Sequence, residues 1–476
     1  MPLKEEETQQ EMKRELGLLD ATMLVVGSMI GSGIFIVSAD ITRNVGSAGW
    51  LIIIWILTGV ITLMAALSYG ELSAMFPKAG GQYVYLKEAY NKLIAFLYGW
   101  SFFMVIQTGT IAAVGVAFAK FAAYLYEPFS DQNILFNLGS FKINASQILA
   151  IVTIFLLTWI NSRGVKNGKI IQTILTIVKI LSLFGLIIAG LVFAFRENVW
   201  TTNWTNAFTP GQWTMNGSNM LQIGGTTLFA GVISAMVGSL FSSDAWNNVT
   251  FIAGEIKNPQ KNIGLSLLLG TIIVTVIYVL ANIMYTAILP MQEIAHAPAD
   301  RVAVAASQYI FGSSGTILIA LMIMISTFGC NNGLILSGAR VYYTMAKDGL
   351  FLKQAAQLNK FEVPSWGLWT QCIWASALCL TGKYGDLLDY VIFVVLIFYI
   401  LTIAGIFILR KTKPDAIRPY KAFGYPFIPA LYIILAAILS LALLYYKTST
   451  CGWGLLLVLT DIPVYYLSER YQKNKN

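Results

Sequence analysis

Long apolar blocks separated by short polar segments run along almost the whole chain. Blocks such as 51–67 and 170–195 are close to the roughly 20 residues that a helix needs to cross the hydrocarbon core of a bilayer. The blocks and the turn residues between them predict about twelve membrane-spanning helices, and therefore an all-α membrane protein. The predicted spans are 17–45, 48–76, 92–126, 146–163, 168–195, 226–253, 264–289, 314–346, 365–382, 385–410, 426–447 and 451–468.

The positions of these spans predict how the chain is organised. The segment 196–225 contains several Trp, Asn and Thr residues, so we expect an ordered loop outside the membrane. Residues 1–15 are charged rather than apolar, so no cleavable signal peptide is expected. The predicted parts are a tail (1–16), five helices (17–195), the extracytoplasmic loop (196–225), five more helices (226–410), two final helices (411–468) and a second tail (469–476).

Composition and charge narrow the class of protein. Hydrophobic residues make up 57% of the chain and charged residues 11%, less than half of the roughly 25% that is typical of soluble domains. A soluble enzyme is therefore excluded. The net charge is +8. Of the 31 basic residues, 23 fall in the two tails or in loops predicted on the same side of the membrane as the tails, and six fall in loops on the opposite side. This asymmetry predicts cytoplasmic termini and explains the charge without a nucleic-acid partner.

Cysteine and histidine usage disfavours a metal or cofactor site. The four cysteines form no CxxC pair, and the single histidine, His296, lies in a loop with Pro298 and Asp300. The sequence therefore has no zinc-type ligand spacing. We expect neither a metal ion nor a cofactor.

Two of the predicted spans carry residues that oppose a continuous helix at their middle. The first contains 27–35, where Gly31 and Gly33 flank Ser32, and the sixth contains 238–246. Glycine disfavours helix, and Ser and Asp side chains compete for its hydrogen bonds. The two stretches align at a constant offset of 211 residues. A weak repeat with a broken first helix in each half is typical of inverted-repeat transporters.

Two broken helices predict a binding site of defined chemistry. The N-terminus of a half-helix presents N–H groups and a positive dipole end to a carboxylate, while the carbonyls that end the preceding half-helix suit an ammonium group. Together they suit a zwitterion. A single GxG motif is also explained as a packing face for a neighbouring helix, and the matched second break argues against that simpler interpretation.

Two charged residues are predicted deep in the membrane. Lys179 lies in the middle of a span, so its side chain must be paired, face water or be neutral. Two interpretations are open: it takes the place of a bound metal ion, or it bonds to the end of a broken helix. Asp244 lies in the second break, where it contacts a substrate amine, pairs with Lys179, titrates during transport or caps its own turn. Glu71, at the inner end of the second span, is expected to anchor a cytoplasmic loop or gate.

Several motifs follow one another in a characteristic order. They are Gly31-Ser32-Gly33-Ile34-Phe35; Pro77-Lys78-Ala79-Gly80-Gly81 with Tyr83-Val84-Tyr85; Lys179; Phe241 and Trp246-Asn247 with Glu255-Ile256-Lys257-Asn258-Pro259; Arg340 with Lys347-Asp348-Gly349; and Arg418-Pro419-Tyr420. This series resembles the L-amino-acid transporter branch of the amino acid–polyamine–organocation superfamily. The resemblance extends from about residue 16 to 446.

The resemblance implies a LeuT-type fold with two inverted repeats of five helices, discontinuous first and sixth helices, and exchange of amino acids across the membrane. It also implies that the backbone N–H groups of Gly31, Ser32 and Gly33 receive the substrate carboxylate. Carbonyls near Ile30 and Phe241 would take the amine, and Phe241 would close over the substrate as the outer gate.

Further positions follow from the same resemblance. Lys179 matches the lysine that stands where sodium-driven relatives bind an ion, which implies sodium independence. Gln107 and Thr110 fall in a stretch that lines the pocket for the substrate side chain. Ser242, Ser243 and Asp244 replace the small neutral residues that the family has after the gating phenylalanine, so the acidic residue puts the family's neutral-substrate preference in question.

A second departure concerns partners. The segment 127–145 has no cysteine, whereas animal members use one there for attachment to a heavy-chain glycoprotein. We therefore expect no disulfide-linked heavy chain, and a chain similar to the stand-alone bacterial members that works in the cytoplasmic membrane. Proton-coupled uptake, including that of a cationic amino acid or polyamine, remains an alternative. The short tails disfavour an amino-acid sensor, and the lack of His clusters or a phosphate loop disfavours a membrane enzyme.

Overall fold

A computed structural model describes residues 14–138, 141–214, 219–381 and 384–473. Helices make up most of it. The α-helices are α1 (Leu18–Met29), α2 (Gly33–Val45), α3 (Ala48–Met75), α4 (Gln82–Ala89), α5 (Lys92–Ser101), α6 (Gln107–Leu125), α7 (Ala145–Asn161), α8 (Val165–Phe193), α9 (Glu197–Thr205), α10 (Gly225–Ser242), α11 (Asn248–Phe251), α12 (Pro259–Ile288), α13 (Met291–Ala295), α14 (Val302–Lys347), α15 (Ser365–Thr381), α16 (Tyr384–Thr412), α17 (Phe427–Tyr446) and α18 (Thr448–Lys473). Two antiparallel hairpins lie in connections: β1 (Ile134–Leu138) with β2 (Phe141–Asn144), and β3 (Gly211–Trp213) with β4 (Met220–Gln222).

The long apolar helices make this a multi-pass membrane protein. Within the described ranges, eight helices are long and apolar enough to cross a membrane, and α1 with α2 forms a ninth if the pair is one bent span. The predicted spans at 146–163 and 365–382 correspond to α7 and α15, which have 17 residues each and fall outside this set. The full count of about twelve and the division into two repeats stay predictions.

Local sequence explains where several helices begin and break. Asn144 and Gln147 form a capping box at the start of α7, and Pro259 occupies the first turn of α12, where its missing N–H costs nothing. Gly312 interrupts α14 with a φ of 67°, a conformation that glycine adopts without strain. The loop 196–225 holds α9, β3 and β4, so its described part is ordered as expected.

Both predicted helix breaks are present. The axes of α1 and α2 differ by 43° across residues 30–32. In the second break α10 ends at Ser242 and residues 243–247 are not helical. The second break therefore begins inside the predicted stretch 238–246. Ser242 still belongs to the helix and donates its hydroxyl to the Gly238 carbonyl at 2.7 Å.

Packing places the two breaks at the centre of the molecule. Helix α2 packs along α10, and α1 packs against α8, α12 and α14. The residues of the first break are buried on every side, with Ile30 and Ser32 at most 1% exposed. Any polar group at the breaks must therefore find its partners inside the protein.

Candidate functional site

Lys179 reaches the first break from α8. Its ammonium donates to the carbonyl oxygens of Gly27 at 2.9 Å, Ile30 at 2.8 Å and Ser326 at 3.1 Å. The side chain is 1% exposed, so three charge-assisted bonds replace the water that a buried ammonium loses. Lys179 was expected either to take the place of a bound metal ion or to bond to the end of a broken helix. The observed geometry is compatible with both, since its ammonium is a cation bound to the end of α1.

A second set of bonds holds the same break from α14. The Ser326 hydroxyl lies 3.2 Å from the Ile30 carbonyl and 3.3 Å from that of Gly31. The thiol of Cys330 donates to the Ser28 carbonyl at 3.0 Å. The carbonyls that α1 leaves unpaired at its C-terminus are thus met by side chains of the neighbouring helices.

The two breaks pack directly against each other. A Cβ atom placed on Gly33 would lie 1.8 Å from the Ser242 hydroxyl oxygen, so only glycine allows this approach. Helix α12 links both breaks, since the Tyr278 hydroxyl lies 3.0 Å from the Met29 carbonyl and 2.9 Å from the Ser242 carbonyl. The N–H of Gly31 donates to the Met29 carbonyl at 2.9 Å and so already has a partner in this conformation.

Asp244 has a different environment from Lys179. Its carboxylate accepts a hydrogen bond from the Tyr399 hydroxyl of α16 at 2.6 Å. The next residue, Ala245, has a φ of 64°, a conformation that residues with a Cβ atom seldom adopt and that is common at functional sites. Asp244 therefore bonds to a tyrosine on α16 rather than pairing with Lys179.

Asp244 lies between two cavities. The first is also lined by Gln82, Gln107, Thr110 and Tyr399, and the second by Ser243 and Tyr399 among others. The described residues that line them include no Lys, Arg or His. The carboxylate of Asp244 is thus the charged side chain of these walls.

The predicted site residues fall into two groups. Gln107, Thr110, Ser243 and Asp244 line the two cavities around Asp244. The others are packed into the crossing of the breaks and, in the described part of the chain, line neither cavity; they are Ile30, Gly31, Ser32, Gly33, Phe241 and Ser242. Gln107 donates to the Leu334 carbonyl at 2.6 Å, which fixes its side chain at the cavity wall.

A polar network closes the end of the bundle near the 76–90 segment. Glu71 accepts two bonds from Arg410 at 2.6 and 3.0 Å and one from the Ala422 N–H at 2.7 Å, which ties the loop after α16 to α3. Tyr83 donates to Asp348 at 2.9 Å. Burial raises the pKa of Tyr83, and the neighbouring Asp348 carboxylate raises it further, so the phenol stays protonated and able to donate.

Four residues of this arrangement were not predicted. Tyr278 and Tyr399 are two of 23 tyrosines, and no local motif distinguishes them from the rest. Ser326, which is followed by Thr327, and Cys330 lie in an apolar span and belong to no motif. Their importance depends on which helices meet, which a local pattern does not contain. Among the described residues, no group of three or more His, Cys, Asp or Glu side chains could hold a metal ion.

Comparison with known proteins identifies the family. A family model described as amino acid permease matches residues 16–457. The chain belongs to the amino acid permease family. This confirms the resemblance to the amino acid–polyamine–organocation superfamily that the motifs indicated.

Relatives of this permease fall in the L-amino-acid transporter branch. It is 31% identical over 462 residues to the mouse large neutral amino acids transporter small subunit 2, covering 97% of the permease and 82% of the relative. It is 31% identical to the Bacillus subtilis serine/threonine exchanger SteT, covering 96% and 97% of the two chains. The mouse b(0,+)-type amino acid transporter 1 is 30% identical, with 97% and 89% covered.

Proposed function

We propose that this permease exchanges L-amino acids across the cytoplasmic membrane by alternating access, without sodium. The observation that carries the proposal is the ammonium of Lys179, which occupies the carbonyl oxygens at the end of α1. Because the Lys179 ammonium already binds those oxygens, a sodium ion would find neither free ligands nor a favourable electrostatic field there. The exchangers and transporters among the relatives support amino acids as the substrates.

The proposed site uses the backbone of the two breaks. Gly33 begins the half-helix α2, and Gly31 and Ser32 directly precede it. Their N–H groups and the positive dipole end would bind the substrate carboxylate once the Gly31 N–H leaves the Met29 carbonyl. Carbonyls near Ile30 and Phe241 take the amine, and Phe241 closes over the substrate. Because Gly33 contacts Ser242 in the packed state, the two breaks have to separate before an amino acid enters.

The proposed side-chain pocket lies at the second break. Gln107 and Thr110 on α6 face Asp244 across the first cavity, and Ser243 lies beside the second. These groups offer hydrogen bonds to the end of a substrate side chain. Ser242 would lie nearer to the α-carbon of the substrate. The pocket favours substrates that bring a hydrogen-bond donor to Asp244.

The remaining proposals concern topology and partners. We place both termini in the cytoplasm because of the basic loops, and lipid around the apolar spans. The four cysteines, Cys330, Cys372, Cys379 and Cys451, are free and buried. This supports operation without a disulfide-linked heavy chain.

Uptake into proteoliposomes tests exchange. Vesicles preloaded with unlabelled serine or alanine should take up the radiolabelled amino acid at least about tenfold faster than empty vesicles, in sodium or in choline buffer. A thermal-shift screen of the twenty amino acids selects the substrate beforehand. Equal uptake into loaded and empty vesicles would remove exchange, and a requirement for sodium would remove the proposed role of Lys179.

A second candidate, proton-coupled uptake, is favoured by the position of Asp244 on cavity walls whose described residues include no basic side chain. It predicts that an inward pH gradient drives uptake into empty vesicles. Asp244→Asn would then abolish the gradient effect while substrate binding persists. Insensitivity of the unaltered permease to the gradient would eliminate this candidate.

A further inference from the structure

One extramembrane segment exposes apolar side chains that the transport site does not use. It lies between α6 and α7 and contains β1 and β2. Its described residues are 126–138 and 141–144, and it is called the 126–144 hairpin below. Neighbouring residues of a strand point to opposite faces, so this hairpin exposes apolar groups on both. A lone two-stranded hairpin is marginally stable in water. The exposed side chains are Tyr126 (58%), Phe129 (38%), Ile134 (45%), Leu135 (57%) and Phe136 (50%).

The length of α7 indicates what covers the hairpin. This helix has 17 residues, which corresponds to about 25 Å, several ångströms less than the hydrocarbon core of about 30 Å. At its C-terminal end the Arg163 guanidinium lies 4.2 Å from the centre of the Trp159 ring, a pair suited to the interface. With that end at the interface, a helix of 17 residues does not reach the opposite interface. This short length favours a position close to the bilayer for the residues that precede Ala145.

The lipid-facing side of α7 runs up to the hairpin. Ile148, Val152 and Phe155 are 39%, 55% and 54% exposed and follow one another at helical spacing on one side. At the other end of the hairpin, directly after α6, the rings of Tyr126 and Phe129 pack against each other with their centres 5.2 Å apart. Aromatic side chains at the end of a span are typical of membrane interfaces.

We propose that the 126–144 hairpin inserts into the membrane interface and anchors the adjoining ends of α6 and α7 in lipid. Its partner is the boundary between headgroups and acyl chains, with the apolar side chains toward the acyl chains and the exposed Asp131 toward water. Helix α6 also carries Gln107 and Thr110 at the first cavity. The anchor therefore fixes the depth of a cavity-lining helix in the bilayer. The proposal does not depend on which substrate is carried.

Site-specific fluorescence tests this placement in the whole protein. The native cysteines are buried, so Leu135→Cys can be labelled with bimane, and unaltered protein measures any background. The matched control is Asp131→Cys, in the polar turn of the same segment. In phosphatidylcholine nanodiscs, nitroxide carried on the lipid should quench the label at 135 at least about twofold more than at 131, and aqueous iodide should show the reverse order.

Each other outcome contradicts the proposal. Equal quenching by iodide at both positions would place the hairpin in water. A label at 135 that is shielded from both quenchers, with emission that depends on the protein-to-lipid ratio, would mean that a second copy of the protein covers this face. Phe136→Cys is the second reporter if Leu135→Cys does not fold.

Discussion

The two deep charges of this permease use uncharged partners. Lys179 donates to three backbone carbonyls, whereas Asp244 accepts from one tyrosine hydroxyl. Removal of Lys179 therefore leaves several buried acceptors unmet, while replacement of Asp244 affects one donor and a cavity wall. A buried polar group that loses its hydrogen-bond partner lowers the stability of the protein. We therefore expect replacement of Lys179 to be more disruptive than replacement of Asp244.

Lys179→Met is expected to lower the exchange rate at least about tenfold while the protein still folds, because the end of α1 loses the cation that orders its carbonyls. Initial uptake rates and size-exclusion profiles measure the two effects. The control is Lys120→Met, which removes a lysine of α6 outside the break and should change the rate little. Equal rates for both variants would make Lys179 a purely structural residue.

Asp244→Asn should keep the exchange rate within about threefold, since the amide oxygen still accepts the Tyr399 hydroxyl, whereas Asp244→Ala leaves that hydroxyl without its acceptor, at a cost of about 1–3 kcal/mol. Competition by unlabelled amino acids measures affinity in both variants. Similar losses for Asn and Ala would show that the charge, rather than the hydrogen bond to Tyr399, is what the pocket needs.

At the scale of helices, most boundaries could be predicted because apolar length and turn residues determine them locally. The predicted second span, 48–76, is α3, and the predicted tenth, 385–410, lies within α16. The second break begins at Ser243, inside the stretch 238–246 in which the sequence predicts it. The partners at the breaks come from α8, α12, α14 and α16, and sequence periodicity does not tell which helices meet.

Gly33→Ala tests the crossing of the two breaks. A methyl group there would meet the Ser242 side chain, so we expect the breaks to be forced apart, with loss of thermal stability and at least about tenfold weaker substrate binding. Gly185→Ala in α8 is the matched control, because nothing lies within 4 Å of its added Cβ. A stable, active Gly33→Ala variant would mean that the breaks do not pack closely in the membrane.

At the scale of the whole molecule, the loop between α16 and α17 fastens the last helices to the first ones. Glu71 on α3 binds Arg410, and Arg418 lies 3.4 Å from the same carboxylate. The carboxylate is 1% exposed, so its environment resembles that of a buried ion pair. The sequence predicted that Glu71 anchors a loop, and its contacts are with the end of α16 and the loop that follows it. The cytoplasmic side of that loop stays a prediction.

Glu71→Gln should lower the free energy of unfolding by about 3 kcal/mol, because Arg410 and Arg418, which are partly buried, lose the anion that both of them contact. Thermal unfolding followed by tryptophan fluorescence measures the change. Glu88→Gln breaks the exposed pair with Lys413 and should cost less than about 1 kcal/mol. Equal stability of the two variants would show that the loop is not held by Glu71.

The hydroxyl of Tyr278 has one hydrogen and two carbonyl oxygens within reach, one on each broken helix. When the breaks separate, the hydrogen can pass from one oxygen to the other. The hydroxyl can keep one of the two carbonyl oxygens as its acceptor throughout this change. Separation of the breaks therefore costs one hydrogen bond at this position, roughly 1 kcal/mol, rather than two. In the proposed transport cycle, Tyr278 would therefore keep α12 hydrogen-bonded to one of the two broken helices throughout.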